Sequence, residues 1–370
     1  MKGKKIRILV DSHIFDQSFQ GTATYIHGLY TELVKFEEFE VSLCAHDVEN
    51  LQVLFPDTRF KFVKLQGHSR IKRLFVEYPK IIKEGGYDYA HFQYIVPFVK
   101  NCKFINTVHD LLFLDFKQHF PWSYRISRKI LFLLSAKRSE VILTVSEYSK
   151  LDIHNRFSIA LNRIHVTPNA VSESESSKID IAEKYGINKY ILFVSRYEPR
   201  KNHIGLLKAY LQLELYEQGY KLVLIGSKKE SIEIDAYKDV HALIEEAIKP
   251  NIFFLEGIGW SDLHAFYQQA ECFVYPSLAE GFGIPPIEAA VNNCKVVCSN
   301  QTAMSEFTFF KYLFNPNTPG ELAATLSIAL NDCNYPFAEI KQAVDAKFNW
   351  TSIAGKFSDI LIDDLKFNTK

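Results

Sequence analysis

The sequence has no excess of charge of one sign. Its 370 residues include 43 Lys and Arg and 43 Asp and Glu, so the formal net charge at neutral pH is zero. A chain with this balance has no overall attraction to nucleic acid or to an acidic partner. Any basic surface that it uses must therefore be local.

Long apolar runs are also absent. The sequence contains no run of about 18 apolar residues, the length needed to cross a bilayer. The basic start, MKGKKIRILVD, lacks the longer apolar stretch and the small-residue cleavage site of a signal peptide. We therefore expect a cytoplasmic protein.

Cysteines are few and scattered, and most of them lie in apolar runs. They are Cys44, Cys102, Cys272, Cys294, Cys298 and Cys333. This distribution favours buried, reduced thiols over a disulfide framework. Cys294 and Cys298 have no second Cys or His pair at zinc spacing, so we expect no metal site.

What the sequence does contain is a regular alternation of short apolar runs with helical patterns. Apolar residues make up 47% of the chain, enough for two domain cores. The alternation predicts α/β domains with parallel, doubly wound sheets. The predicted strands are 6–10, 41–45, 89–93, 103–108, 141–145, 163–167, 190–195, 221–227, 252–257, 272–277 and 295–300.

The alternation pauses once, in the polar stretch PNAVSESESSK at 168–178. We interpret this stretch as a linker between two Rossmann-like domains, 1–172 and 173–349. The closing segment, 349–366, has the pattern of an amphipathic helix.

The most informative segment is CFVYPSLAEGFGIPPIEAA, residues 272–290. A strand, a glycine loop and a helix N-terminus follow one another, an arrangement whose free N–H groups and helix dipole suit a phosphate. Glu280 and Glu288 bracket the loop, and carboxylates suit sugar or ribose hydroxyls. The segment therefore predicts recognition of a nucleotide sugar.

Glu280 and Glu288 are separated by seven residues, and the spacer begins with GFGIP. This resembles the Glu-x7-Glu motif of the retaining glycosyltransferases of family 4. The resemblance covers nearly the whole chain in motif order. It implies the GT-B fold, with two Rossmann-like domains and an interdomain cleft, the acceptor held by the first domain and the donor by the second. It also implies that the last helix, 350–370, packs back on the first domain.

The resemblance implies a donor site around the glycine loop. Glu288 would bind the ribose hydroxyls and Glu280 the hydroxyls of the transferred sugar. The donor-binding set also includes Gly281, Phe282, Gly283 and Ile284, with the backbone N–H groups of the first three contacting the sugar. Alternatively, Glu288 is a charge favourably placed in the first turn of a helix; both roles are compatible.

Two cations follow the predicted strand 190–195. Arg196 and Lys201 lie in RYEPRKN and match the spacing of the family's diphosphate-binding pair. Asp-x-Asp, which holds a metal in the other common glycosyltransferase fold, is absent. Arg and Lys can replace such an ion at a leaving diphosphate, so we expect no cofactor. Arg200 is a third candidate cation, and the alternative for the segment is a solvated basic turn.

The first half contributes two further candidates. His109 and Asp110 resemble the family's His-Asp pair, which implies that His109 lies beside the donor sugar, while Asp110 caps the next segment. Gly21 matches the family's glycine at the head of the first helix, which implies that it belongs to the donor-binding set. The chain departs from the family pattern at Ala23 and Ala170, where glycine is usual.

Two first-half segments, 68–83 and 124–138, are basic and interleaved with apolar residues. They predict either ordinary domain helices with a charged face or a peripheral surface for an anionic membrane, at the inner face of the plasma membrane. The membrane alternative would imply a lipid-linked acceptor.

Together these features predict a metal-independent glycosyltransferase of surface polysaccharide biosynthesis. GDP-mannose is favoured as donor because EPRKN resembles the mannosyltransferase-like branch; a UDP-sugar is the alternative. A nucleotide-sugar epimerase of the same fold and a non-catalytic nucleotide-sugar-binding subunit remain open.

Overall fold

The computed structural model describes residues 5–16, 21–67, 69–171, 177–227 and 237–367. The chain divides into two compact units. The first comprises Met1–Leu111, Ser123–Ala170 and Asn349–Lys370, and the second comprises Leu112–Trp122 and Val171–Phe348. The first unit differs from the predicted first domain, 1–172, mainly in residues 112–122, which belong to the second unit. Residues 172–176 of the predicted linker lie outside the described residues.

The first unit is built on a seven-stranded parallel sheet. Its strands are β1 (Ile6–Asp11), β2 (Phe39–Ala45), β3 (Lys61–Lys64), β4 (Tyr89–Gln93), β5 (Lys103–Thr107), β6 (Val141–Thr144) and β7 (Ile164–Val166). Their order across the sheet is β3-β2-β1-β4-β5-β6-β7. The central strands are continuous apolar runs because helices cover both faces of such a sheet.

Six α-helices lie between these strands in the part of the first unit that the structure describes. They are α1 (Gly21–Leu33), α2 (Val48–Leu54), α3 (Arg70–Lys72), α4 (Tyr78–Gly85), α5 (Trp122–Arg138) and α6 (Glu147–Phe157). A π-helical turn, Arg73–Glu77, joins α3 to α4. Local sequence sets the ends of α6: the Ser146 hydroxyl accepts from the Ser149 N–H, and Ser158 ends the helix at φ 53°.

The second unit is built on a six-stranded parallel sheet. Its strands are β8 (Tyr190–Val194), β9 (Lys221–Ile225), β10 (Ile252–Leu255), β11 (Cys272–Tyr275), β12 (Val296–Ser299) and β13 (Tyr312–Phe314). Their order is β10-β9-β8-β11-β12-β13. The helices are α7 (Ile181–Tyr185), α8 (His203–Gln212), α9 (Tyr237–Ala242), α10 (Trp260–Gln269), α11 (Ile284–Val291), α12 (Glu321–Leu330) and α13 (Phe337–Lys347).

The last helix, α14 (Trp350–Phe367), belongs to the first unit. Its Phe357 ring meets the Tyr30 ring of α1 edge to face, with centroids 6.1 Å apart. Asp364 accepts from the Tyr89 hydroxyl at 2.6 Å and pairs with Lys103 at 2.7 Å. These contacts tie the chain terminus to strands β4 and β5.

The predicted class, α/β with two Rossmann-like parallel-sheet domains, is confirmed. Each of the eleven predicted strands is present, and two strands, β3 and β13, were not predicted. Both are short strands at a sheet edge: β3 has a Lys at each end, and the apolar run of β13 is only three residues long. All six cysteines are free thiols. Among the described helices, none is both long and apolar enough to cross a membrane.

Gly226 allows the backbone at the ends of two central strands, β8 and β9, to approach closely. A Cβ at this position would lie 1.8 Å from the carbonyl oxygen of Ser195, the residue after β8. We expect Gly226→Ala to lower the melting temperature by several degrees, because backbone would have to move. Gly355→Ala is the matched control: this Gly lies inside α14 with open space around its Cα, so alanine should be neutral or stabilising by up to about 1 kcal/mol. Equal melting temperatures for the two variants would contradict this account.

Candidate active site

The candidate site of the second unit lies where its strand order reverses. The chain runs outward from β8 through β9 and β10, then returns to place β11 on the other side of β8. Ligands of doubly wound sheets bind outside the carboxyl ends of the strands at such a switch point. The segment 195–202 follows β8 and the segment 276–283 follows β11. They are in contact, since the Leu278 N–H donates to the Arg200 carbonyl at 2.7 Å.

Glu280 is held by two buried cations. Lys201 Nζ lies 2.7 Å from Glu280 Oε1, and Arg200 Nη1 lies 3.0 Å from Glu280 Oε2. The Tyr275 hydroxyl donates to Glu280 Oε1 at 3.0 Å. Burial alone would raise the pKa of Glu280, but the charges of Lys201 and Arg200 outweigh it and hold that pKa well below its ordinary value. Glu280 is therefore an ionised, fixed acceptor.

Arg196 joins the same network through a second carboxylate. Glu198 Oε2 accepts from Arg200 Nη2 at 2.6 Å, while Glu198 Oε1 pairs with Arg196 Nη2 at 2.8 Å. The network thus contains three cations and two carboxylates and has one net positive charge. Arg196 is its exposed member, with 51% of its side chain accessible against 10% for Arg200 and Lys201. A site with these charges can attract an anion at Arg196.

The glycine turn presents backbone to this edge of the sheet. Gly283 has φ 102°, which disfavours any side chain, and a Cβ there would lie 3.2 Å from the Phe307 ring. The Phe282 ring packs edge to face against Phe307 and Phe348, so its side chain belongs to an aromatic cluster. Phe282 can therefore offer a ligand its backbone N–H. Ile284 begins α11 directly after Gly283.

Glu288 lies on α11 in a different environment from Glu280. The Tyr267 hydroxyl donates to Glu288 Oε2 at 3.0 Å. Burial raises the pKa of Glu288 to about 7, and the hydrogen bond from Tyr267 opposes that rise in part. The two glutamates of the motif therefore differ: Glu280 is ionised, whereas burial shifts Glu288 toward its protonated form.

His109 and Gly21 lie in the first unit. His109 follows β5, is buried, and its Nε2 lies 2.8 Å from Gln93 Oε1 at the end of β4. Burial lowers the pKa of His109 to about 3, so the imidazole is neutral. Gly21 is the exposed first residue of α1, and residues 17–20, which precede it, lie outside the described residues. Ala23 and Ala170 are both buried.

The structure thus brings Lys201 and Glu280 into direct contact and links Arg196 to them through Glu198 and Arg200. Sequence reasoning missed Glu198, Tyr275 and Tyr267, and it treated Arg200 as a third candidate cation. Glu198 had a usable signal, since it lies between two arginines after a buried strand; the tyrosines had none. Within the described residues, no three His, Cys, Asp or Glu side chains gather as a metal site requires.

Two family models match consecutive parts of the chain. Glycosyltransferase Family 4 matches residues 19–175, and Glycosyl transferases group 1 matches residues 175–344. The chain is a GT-B glycosyltransferase. This glycosyltransferase is 30% identical over 259 residues to O-antigen chain mannosyltransferase B of Escherichia coli, a match that covers 66% of each protein. It is 28% identical over 207 residues to O-antigen chain mannosyltransferase RfbU of Salmonella typhimurium, covering 55% of the chain and 54% of the relative.

The matched segments thus span about two thirds and about half of these two relatives. Among solved structures, the glycosyltransferase resembles sucrose-phosphate synthase from Thermosynechococcus elongatus, with a TM-score of 0.78. The two are 17% identical, and the match covers 99% of this chain and 100% of the other. At this identity the likeness supports the shared GT-B fold.

The raised pKa of Glu288 predicts a pH dependence of stability. A carboxyl group whose pKa is raised on folding stabilises the native state below its unfolded pKa, near 4.5, and loses that contribution as pH rises through about 7. We therefore expect the melting temperature of the protein, relative to Glu288→Gln, to fall between about pH 5 and pH 7. Glu280 remains ionised across this range and does not contribute.

Tyr267→Phe is the matched variant for this measurement. It removes the hydroxyl that stabilises the ionised Glu288, so the fall should begin at the same pH and extend to higher pH. A difference between the protein and Glu288→Gln that is flat across the range would contradict the assignment.

Proposed function

We propose that this glycosyltransferase moves mannose from GDP-mannose to a saccharide or lipid-linked acceptor, with retention of configuration and without a metal ion, in the assembly of a surface polysaccharide. The observation that carries the proposal is the network at the β8–β11 switch point, in which cations and an ionised glutamate lie beside a glycine turn. A nucleotide-diphosphate sugar needs this combination: positive charge for the diphosphate, and fixed acceptors for hydroxyls.

Exposure and pairing together suggest the role of each cation. Arg196 is half exposed and would reach the diphosphate. Lys201 is as buried as Arg200 but pairs with a single carboxylate, Glu280, and we assign its ammonium to the diphosphate as well. Arg200 is nearly buried between Glu198 and Glu280. We assign Arg200 to positioning, because its guanidinium is already committed to two carboxylates.

The remaining donor contacts follow from the same arrangement. Glu280 would accept from hydroxyls of the mannose, Glu288 from the ribose, and the N–H groups of Gly281, Phe282 and Gly283 would contact the sugar. His109, being neutral, would position the sugar without adding charge.

The proposed chemistry exchanges one bond at the anomeric carbon for another. The bond from that carbon to the diphosphate oxygen breaks, and the acceptor oxygen forms its bond on the same face, which retains configuration. The proton of the acceptor hydroxyl passes to the departing phosphate oxygen. Arg196 and Lys201 stabilise the negative charge that develops there, which is the electrostatic role that a metal ion has in other enzymes.

Mannose is favoured because both named relatives are mannosyltransferases of O-antigen chains. The same relatives support a role in surface polysaccharide synthesis. A UDP-sugar is the alternative donor, and competition by GDP and UDP in a thermal-shift experiment distinguishes the two, since a ligand of the folded state raises apparent stability.

Arg196→Ala tests the donor site. We expect this variant to lose about 2–4 kcal/mol of transition-state stabilisation, or roughly 30- to 900-fold in the rate of mannose transfer or of GDP-mannose hydrolysis. Its melting temperature should change little, because the side chain is half exposed. Arg59→Ala is the matched control, since Arg59 is also 51% exposed and paired with an acidic residue, Asp57. Rates are measured in EDTA, which should leave the unmodified protein unaffected. Near-full activity of Arg196→Ala would refute the assignment.

The second part of the proposal is a peripheral contact with an anionic membrane through α5. Ile126, Ile130 and Leu134 recur every four residues and are 49%, 51% and 46% exposed. The opposite side of the helix, with Phe132 and Ser135, is buried. An apolar stripe exposed along a helix of a folded domain suits a membrane interface.

Neighbouring segments extend this surface and supply cations. Phe75 and Phe98, both partly exposed, stack with centroids 4.3 Å apart, and Arg138 donates to the Phe98 carbonyl at 2.8 Å. Burial, followed by the nearby charges of Arg128 and Arg73, lowers the pKa of Arg70. Because positive charges lie beside exposed apolar groups, we propose that this surface binds anionic lipid.

Vesicle binding tests this contact. The protein should co-float with vesicles that contain phosphatidylglycerol at low salt and be released as salt rises. Replacing Ile126, Ile130 and Leu134 together by Ser should abolish co-flotation. The control replaces three exposed apolar residues elsewhere, Val53, Leu161 and Ile328, by Ser and should co-float normally. Equal flotation of both triple variants would exclude α5 as the contact.

A further inference from the structure

The first unit has a switch point of its own. Its chain runs outward from β1 through β2 and β3, and β4 then lies on the other side of β1. Val10 pairs with His91 in the sheet, so the carboxyl ends of β1 and β4, Asp11 and Gln93, lie at the same edge. By the rule that applies to the second unit, this edge is where a ligand of the first unit binds.

A buried carboxylate holds an imidazole at this edge. Asp11, 7% exposed, accepts from His13 Nδ1 at 2.6 Å and from the Tyr78 hydroxyl at 2.5 Å, both at Oδ1. The His13 backbone N–H also donates to Oδ1 at 3.2 Å. Burial would raise the pKa of Asp11, but the charge of His13 and these hydrogen bonds outweigh it and lower the pKa. Asp11 is thus ionised and can only accept.

The ionised Asp11 determines which nitrogen of His13 carries the proton. Since the carboxylate accepts, Nδ1 carries the hydrogen, and in the neutral imidazole Nε2 has the free lone pair. The His13 side chain is 32% exposed. The hydrogen bond from the backbone N–H is sufficient to close this turn. The hydrogen bond from the imidazole ring is therefore additional to what the turn requires.

A second oriented imidazole occurs at the same edge. His109 is neutral, and its Nε2 contacts Gln93 Oε1 at the end of β4. This edge therefore has the imidazoles of His13 and His109, each held by the end of a neighbouring strand. An imidazole nitrogen can exchange a hydrogen bond with a hydroxyl group, as donor or as acceptor.

We propose that His13, oriented by Asp11 and Tyr78, binds a hydroxyl group of the saccharide acceptor through Nε2. This inference rests on the proposed function and extends it to the acceptor, for which it names a binding residue. Asp11 and Tyr78 are positioning residues that act through His13.

The test measures acceptor and donor kinetics separately in the full chain. GDP-mannose is the donor, and octyl α-mannoside and methyl α-mannobiosides are the acceptor probes. We expect His13→Ala to raise the acceptor KM about tenfold, the value of one hydrogen bond, with unchanged GDP-mannose hydrolysis in the absence of acceptor. His13→Gln, whose amide can both donate to Asp11 and accept a hydroxyl, should recover part of the loss. Tyr78→Phe should show a smaller rise.

His27→Ala is the matched control, because His27 is half-buried on α1 and bonded to the Leu54 carbonyl. It should leave both constants unchanged. An unchanged acceptor KM in a folded His13→Ala protein would overturn the inference. The inference would also be overturned if the unmodified protein hydrolyses GDP-mannose but none of the saccharides acts as acceptor or competitor. An unmodified protein that neither hydrolyses nor transfers would instead overturn the proposed function itself.

Discussion

The arrangement of the second unit depends on one buried carboxylate shared by two cations. Glu280 is charged and nearly inaccessible, and removing such a charge from water is costly unless it is paired and hydrogen-bonded. Arg200 and Lys201 provide that pairing from the segment after β8, and Glu280 comes from the segment after β11. Neither segment can move away without leaving an unpaired buried charge. The ion pair therefore holds the glycine turn beside the cations, whether or not it adds to net stability.

The same network separates the cations by role. Because Arg200 is enclosed by Glu198 and Glu280, its charge is used within the protein. Arg196 pairs with the other oxygen of Glu198 and remains half exposed, so the net positive charge of the network is available where an anion can approach. Under the proposed function, this is how the chain stabilises a leaving diphosphate with its own side chains.

The two units repeat one architecture with different chemistry. Each sheet reverses its strand order beside its first strand, and each has functional candidates at that edge. In the second unit the edge is positive and includes a glycine turn, which suits a phosphate. In the first unit Asp11 and Gln93 each hold an imidazole, which suits hydroxyl groups. This division matches a reaction whose donor is a charged nucleotide and whose acceptor is an alcohol.

The sequence by itself determined the fold class, eleven of the thirteen strands of the described chain and the segments that form the donor-side site. It could do so because central strands of parallel sheets are continuous apolar runs, and because motif residues directly follow them. It could not determine that two of the three cations in RYEPRKN are buried and one is exposed, nor that Tyr267 faces Glu288 and Tyr78 faces Asp11. Those facts depend on contacts between residues 21 to 80 positions apart, such as Arg200 with Glu280. Only the packing of the sheet and its helices decides them, because burial and charge pairing are properties of the folded chain and not of its local pattern.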